Sequence, residues 1–132
     1  MPTALTLDRA HLAALMEREE ATFITDHPRS AALHERAKSS LLAGVPMNWM
    51  VKWPGAFPPY VESASGAHFT CVDGHDYVDF CLGDTGAMAG HGAAATIAAV
   101  ERQLPCGITH MLPTEDAAFV GEELQRRFGL RY

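Results

Sequence analysis

No stretch of this sequence approaches the ~20 consecutive apolar residues that a membrane-spanning helix needs. Lysine is nearly missing: Lys38 and Lys52 are the only two, and the densest basic spot is Arg126-Arg127 with Arg131. With 10 basic against 16 acidic side chains, a net charge of −6 and no basic stripe, a nucleic-acid-binding surface is excluded. Cysteine is sparse and odd in number (Cys71, Cys81, Cys106), with no Cys-x-x-Cys pair. That predicts reduced thiols in a cytoplasmic compartment, acting as small buried hydrophobes. The seven histidines fall in no His-Glu-x-x-His or Cys/His ligand spacing, so no metal site is expected. No phosphate-binding GxxxxGK[ST] or nucleophile-elbow GxSxG occurs. The opening MPTALTLDRA has no basic segment followed by an apolar one, so no signal peptide is expected.

What is present suits an ordinary globular chain: 132 residues, 48% hydrophobic and 20% charged. Residues 1–59 read as helices followed by an aromatic, proline-rich loop. Leu12, Leu15, Met16 and Phe23 share one side of a helix that Asp8 can cap, ended by Asp26-His27-Pro28. Ser30 is a good N-cap for a second helix, in which Leu33, Ala37 and Leu41 repeat every four residues until Gly44. Val45 to Pro59 then holds four of the eight prolines and both tryptophans. Proline forbids a helix interior and the aromatics forbid a solvated linker, so an ordered loop laid over an apolar surface is expected.

Residues 60–82 switch to a period of two. YVESA, HFTCV and HDYVDFCL read as three strands of an antiparallel meander, with Asp73-Gly74 as a strong hairpin signal. In the third, Val78, Phe80 and Leu82 alternate with Tyr77, Asp79 and Cys81. Residues 83–132 read as a glycine-rich loop and two helices. Ile97, Val100 and Leu104 fall at helical spacing before Pro105. Thr114 caps the last helix, Ala117, Val120, Leu124 and Phe128 form its buried stripe, and Gly129 ends it.

The glycine-rich stretch DFCLGDTGAMAGHG, Asp79 to Gly92, carries the functional question. Gly90-His91-Gly92-Ala93-Ala94-Ala95 fits the letters of a dinucleotide fingerprint, but the mechanism needs the first glycine at the end of a strand inside a parallel βαβ unit. Here the preceding strands form an antiparallel meander, and the nucleotide reading fails. Asp84 and His91 could pair as acid and base; the plainer reading is a turn aspartate and a packed histidine.

Several landmarks in order resemble a known family. They are Gly66, Cys71-Val72-Asp73-Gly74, Tyr77 and Asp79 in the meander, then Met88-Ala89-Gly90-His91, then Leu112-Pro113-Thr114-Glu115. Together, over roughly Leu33 to Phe128, they resemble the class III pyridoxal-phosphate-dependent aminotransferases, and among them the glutamate-1-semialdehyde aminomutases. The first aspartate of the family's meander pattern is Cys71 here. The resemblance implies an α+β fold, the N-terminal part of a fold-type I transferase, whose large cofactor domain lies beyond this chain. It implies that the loop after the third strand faces substrate, with Asp84, Thr85, Gly86 and Met88 as lining residues. It also implies a second substrate-facing position at Trp49. There aminomutase-like enzymes place an arginine for the substrate carboxylate, and this sequence offers Asn48-Trp49-Met50, which points to a bulkier or apolar amino donor.

Pyridoxal-phosphate chemistry needs a Schiff-base lysine, an acidic partner for the pyridine nitrogen and phosphate donors. Neither Lys38 nor Lys52 matches the family's lysine, so the expectation is no catalytic and no cofactor-binding residue within these 132. The implied partner is the remainder of an aminotransferase chain or a complementing subunit, with a homodimer in the full-length form. The non-enzymatic alternative is a stand-alone remnant that acts as an interaction module through exposed apolar stripes.

Overall fold

The computed structural model describes residues 7–129 and 131, and divides into two units, Met1–Gly92 and Ala93–Tyr132. In the first, Asp8 caps helix α1 (Arg9–Asp26): its carboxylate accepts from the amides of Ala10 and His11, each at 3.0 Å. His27 then breaks the chain direction, and Pro28, whose missing N–H costs nothing at a helix start, opens α2 (Pro28–Ala37).

Two expectations for α2 are corrected here. Ser30 is not its N-cap but lies inside its first turn, fully buried. The capping group comes from 43 residues away. The carboxylate of Asp73, on the Asp73-Gly74 turn, accepts from the amides of Arg29 (2.6 Å) and Ser30 (3.1 Å) and from the Ser30 hydroxyl (2.5 Å). The helix also ends at Ala37 rather than at Gly44. Leu41 stands outside it, and a short 3₁₀ turn, Leu42–Gly44, follows. Gly44 is required there. It has φ +73°, and a Cβ would meet the His34 ring at 2.9 Å.

The aromatic loop is ordered, with a 3₁₀ turn at Asn48–Lys52 between prolines and with Val45 and Phe57 buried. The meander is as expected in topology: β1 (Val61–Ser65), β2 (His68–Cys71) and β3 (Asp76–Val78), antiparallel in the order β1-β2-β3. Register pairs Ala64 with Phe69 and Phe69 with Tyr77, and a bulge lies between Val61 and Ser63. One sheet face carries Cys71, fully buried, and the stacked Phe69 and Tyr77 rings. The other leaves Val78 exposed, with Phe80 beyond it 94% exposed.

The third strand is shorter than its alternation predicts, stopping at Val78 instead of Leu82. The cause is local: Asp79 accepts from the amides of Cys81 and Leu82, curling the chain, and Leu82 is left-handed at φ +49°. Of the cysteines only Cys71 is buried, whereas Cys81 and Cys106 are exposed, so the expectation of three buried thiols holds for one.

The second unit contains α3 (Ala94–Gln103), a 3₁₀ turn at Leu104–Cys106 and α4 (Glu115–Phe128). Gly129 closes α4 in the left-handed conformation at φ +63°. Thr114 is its N-cap residue without a side-chain hydrogen bond. The stripe expected to be buried is open: Val120, Leu124 and Phe128 are all exposed.

Candidate functional site

Several polar contacts join the meander to the first two helices, among them His75 Nε2 to the Asp26 carbonyl (2.8 Å) and the Tyr60 amide to Ser30 Oγ (3.2 Å), and two centre on His27 and Asp73. At the junction of α1 and α2, His27 is buried and has both ring nitrogens engaged. Nδ1 lies 2.7 Å from the Phe23 carbonyl, which only accepts, so Nδ1 carries the proton. In the neutral ring Nε2 then accepts from the Tyr77 hydroxyl at 2.5 Å. Burial raises the Tyr77 pKa above its ordinary value, which keeps this hydroxyl a donor. The second contact is the Asp73 cap. Burial pushes its carboxyl upward, but the Ser30 hydroxyl and the Arg29 and Ser30 amides outweigh it, and the net shift is downward.

The glycine-rich loop hangs from the other end of β3. Residues 82–90 of it hydrogen-bond among themselves along the backbone: Thr85 N–H to Gly83 C=O (2.9 Å), Gly86 N–H to Gly83 C=O (3.1 Å), Ala87 N–H to Leu82 C=O (2.9 Å) and Gly90 N–H to Ala87 C=O (2.8 Å). Leu82, Gly83 and Asp84 are left-handed in succession, at φ +49°, +61° and +60°. The two ends of the loop meet at one carboxylate. Asp79 Oδ1 accepts from the Cys81 and Leu82 amides, both at 2.9 Å, and Oδ2 lies 2.6 Å from His91 Nε2. The His91 hydrogen bond, the Leu82 amide and the Cys81 amide hold the Asp79 carboxyl below the usual carboxylate range. The His91 backbone in turn bridges Gly66, through Gly66 N–H to His91 C=O (2.9 Å) and the reverse bond (2.8 Å).

Asp84, Thr85, Gly86 and Met88 thus share one loop, with Met88 74% exposed. Trp49 sits apart on the 3₁₀ turn, half-exposed, and among the described residues no hydrogen bond or ring contact joins it to them. The acid/base pairing considered for Asp84 and His91 does not form. His91 pairs with Asp79, and Asp84 accepts a weak hydrogen bond from the Cys81 thiol at 3.4 Å. Sequence reading missed Asp79 as the partner although its motif residue was in view. The signal available was a "GH" twelve residues after an aspartate that ends a strand.

A cleft of about 480 Å³ opens elsewhere, between α1 and the Trp53–Ala56 loop segment, lined by Met16, Glu20, Phe23, His27, Trp53 and Pro54. It contains none of the five expected site residues. Among the described residues no group of His, Cys, Asp and Glu could hold a metal ion. No described helix is long and apolar enough to cross a membrane.

For pyridoxal phosphate the donor set does not fit. Lys38 is exposed and bonded to Glu35 at 2.7 Å, and Lys52 ends an exposed 3₁₀ turn; neither faces the glycine-rich loop through any described contact.

No family model matches the chain. Over 103 residues it is 37% identical to the glutamate-1-semialdehyde 2,1-aminomutase of Methanocella arvoryzae, a match covering 78% of this chain and 23% of that one. The crystal structure of a glutamate-1-semialdehyde-aminomutase from Pseudomonas aeruginosa PAO1 in complex with PMP aligns with a TM-score of 0.89 and 49% identity, over 96% of this chain and 28% of that one. A transaminase with PLP bound aligns at a TM-score of 0.68 and 31% identity, over 76% of this chain and 23% of that one. The chain therefore spans about a quarter of the length of the relatives it matches.

Proposed function

The chain belongs by sequence and fold to the class III pyridoxal-phosphate-dependent aminotransferases, aminomutase-like, matching the N-terminal portion of their chains; from this we propose that it supplies the substrate side of such an enzyme's active site. The observation that carries the reading is a 96% overlay on a relative of which it accounts for only 28%. The chemistry that a Schiff-base lysine performs belongs to the other three quarters of such a chain, present as a continuation or a complementing subunit. The glycine-rich loop, with Asp84, Thr85, Gly86 and Met88, faces the reacting amino compound, and Trp49 takes the place of a carboxylate-binding arginine. The substrate is an amino acid or amino ketone, and the working form is a cytoplasmic homodimer of the assembled enzyme.

Two measurements test this. Incubating the 132-residue chain with pyridoxal phosphate, reducing with borohydride and mapping by mass spectrometry is expected to give no stoichiometric pyridoxyl-lysine. A stoichiometric adduct at Lys38 or Lys52 would mean that the chain carries its own Schiff-base lysine. Coexpression with the remaining three quarters of the Pseudomonas aeruginosa relative is expected to restore amino transfer, lowered by Asp84→Ala or Thr85→Ala. A soluble, fully assembled complex that stays inactive would favour the interaction-module alternative, which the open α4 stripe supports.

A further inference from the structure

Among the described residues, the ends of the glycine-rich loop are tied through Asp79, His91, Gly66 and Ala67, whose carbonyl accepts from the Asp79 amide at 2.7 Å. Asp79 stands at the exit of β3, His91 at the far end of the loop, and Gly66 on the turn between β1 and β2 receives the His91 backbone. Gly90 is tied to the same point by shape. It lies at φ +90°, and a Cβ there would come within 3.3 Å of the Gly66 Cα and carbonyl oxygen. The loop interior is built differently. Its hydrogen bonds close on themselves, and its three successive left-handed residues hold a shape that needs support at the ends.

We propose that Asp79 and His91 are positioning residues that clasp the loop shut, so that residues 82–90 move as one body hinged at the Asp79–His91–Gly66 junction when the clasp opens. The clasp rests on the reading of this loop as substrate-facing: it fixes where Asp84, Thr85 and Met88 are presented without touching substrate itself. The pair is suited to that task. Its side chains are only 15% and 22% exposed, so the charge-assisted hydrogen bond is shielded from water on most sides. One carboxylate serves both loop ends, so losing it frees the entry turn and the exit together. The loop's other ionisable groups, the Cys81 thiol and the Asp84 carboxylate, face each other and leave Asp79 to His91.

The pH behaviour follows from Asp79. The Asp79 carboxylate only accepts, so His91 Nε2 carries the proton of the clasp. Asp79 is held below the ordinary carboxylate range by His91 and the two amides. The clasp is therefore complete above that range and opens only as pH falls through the depressed value.

The test is residue-resolved amide exchange by NMR on the 132-residue chain, with no substrate and no cofactor. His91→Ala is expected to speed exchange at the Gly66, Cys81, Leu82 and His91 amides by about tenfold. The Arg29 and Ser30 amides, held by Asp73, should be unchanged. His91→Gln, which restores an N–H donor without a titratable ring, is expected to recover most of the protection. Asp79→Asn is expected to exchange fast at neutral pH and to lack the acid-side rise expected of the parent chain. Unchanged loop amides in His91→Ala overturn the clasp, and so does an equal rise at Arg29 and Ser30, which would make His91 a general stability residue. Because this measurement involves no substrate, it fails separately from the substrate-facing reading. That reading fails if the reconstituted enzyme ignores Asp84→Ala and Thr85→Ala.

Discussion

The two units use their apolar side chains in opposite ways. Every buried residue among those described (His27, Ser30, Gly44, Val45, Phe57, Cys71) lies in the Met1–Gly92 unit. None of the described residues of the Ala93–Tyr132 unit is buried, and α4 carries its own local chemistry. Glu115 and Asp116 sit in its first turn and Arg126 and Arg127 in its last, and Glu123 pairs with both arginines at 2.7 and 2.9 Å. The first unit is held from a distance and the second from within. Of its six buried residues two are polar, and both owe their place to partners far along the chain: Asp73 for Ser30, Tyr77 for His27.

The largest effect should come from cutting one of those distant ties. Asp73→Ala removes three hydrogen bonds at once, uncaps α2 and leaves the buried Ser30 hydroxyl without the acceptor for its proton, though its oxygen still accepts from the Tyr60 amide. A loss of about 2 kcal/mol is expected. Urea unfolding followed by far-UV circular dichroism measures it, and Asp8→Ala, which uncaps an exposed helix end, serves as the smaller reference. Equal losses for the two would erase the contrast between tertiary and local capping.

A smaller effect concerns acid. Asp73 and Asp79 both titrate below their ordinary range: for Asp73 the Ser30 hydroxyl and two amides outweigh burial, and for Asp79 the His91 bond comes first. A carboxyl with a depressed native pKa adds stability that is present above its unfolded value and lost as pH falls through the native one. Acid unfolding monitored on the first unit should therefore begin below the ordinary carboxylate range. Asp73→Asn and Asp79→Asn should each flatten that limb while leaving the neutral-to-alkaline limb in place. A double variant with an unaltered acid transition would show that neither carboxylate links the fold to protons.

This contrast explains what the sequence made legible. Helices, the meander and the order of its strands follow from local period and turn residues, which is why Asp8, Asp73-Gly74 and Gly129 could be placed. The capping of α2 by Asp73 was hidden, because Ser30 looks like a good cap and nothing local says that a carboxylate 43 residues on will take the role. The early end of β3 was hidden for a related reason: the alternation through Leu82 is real, but Asp79 turns the backbone before it can be used. The four loop residues expected to line a site do share one loop, whereas the Asp79–His91 pair that ties its ends depends on a fold that brings residue 91 back to residue 79. The α4 stripe was read correctly as amphipathic, and it lies open in this chain, since periodicity shows which face is apolar and not what covers it.

The smallest effect on folding should come from that stripe. Leu124 is 45% exposed, so Leu124→Gln removes little burial from the chain and is expected to move its unfolding free energy by no more than about 0.5 kcal/mol. In the assembled enzyme the same change should act differently. If the remaining three quarters of the chain cover α4, it removes a buried leucine, with an expected loss of about 2 kcal/mol. Denaturant unfolding of both forms measures the difference. A loss of that size in the 132-residue chain itself would mean that α4 is already covered in solution by a second copy, which sedimentation equilibrium would show as a dimer. A negligible loss in both would mean that the stripe stays open even in the enzyme, and the contrast between the two units would then be a property of the family's fold rather than of this chain.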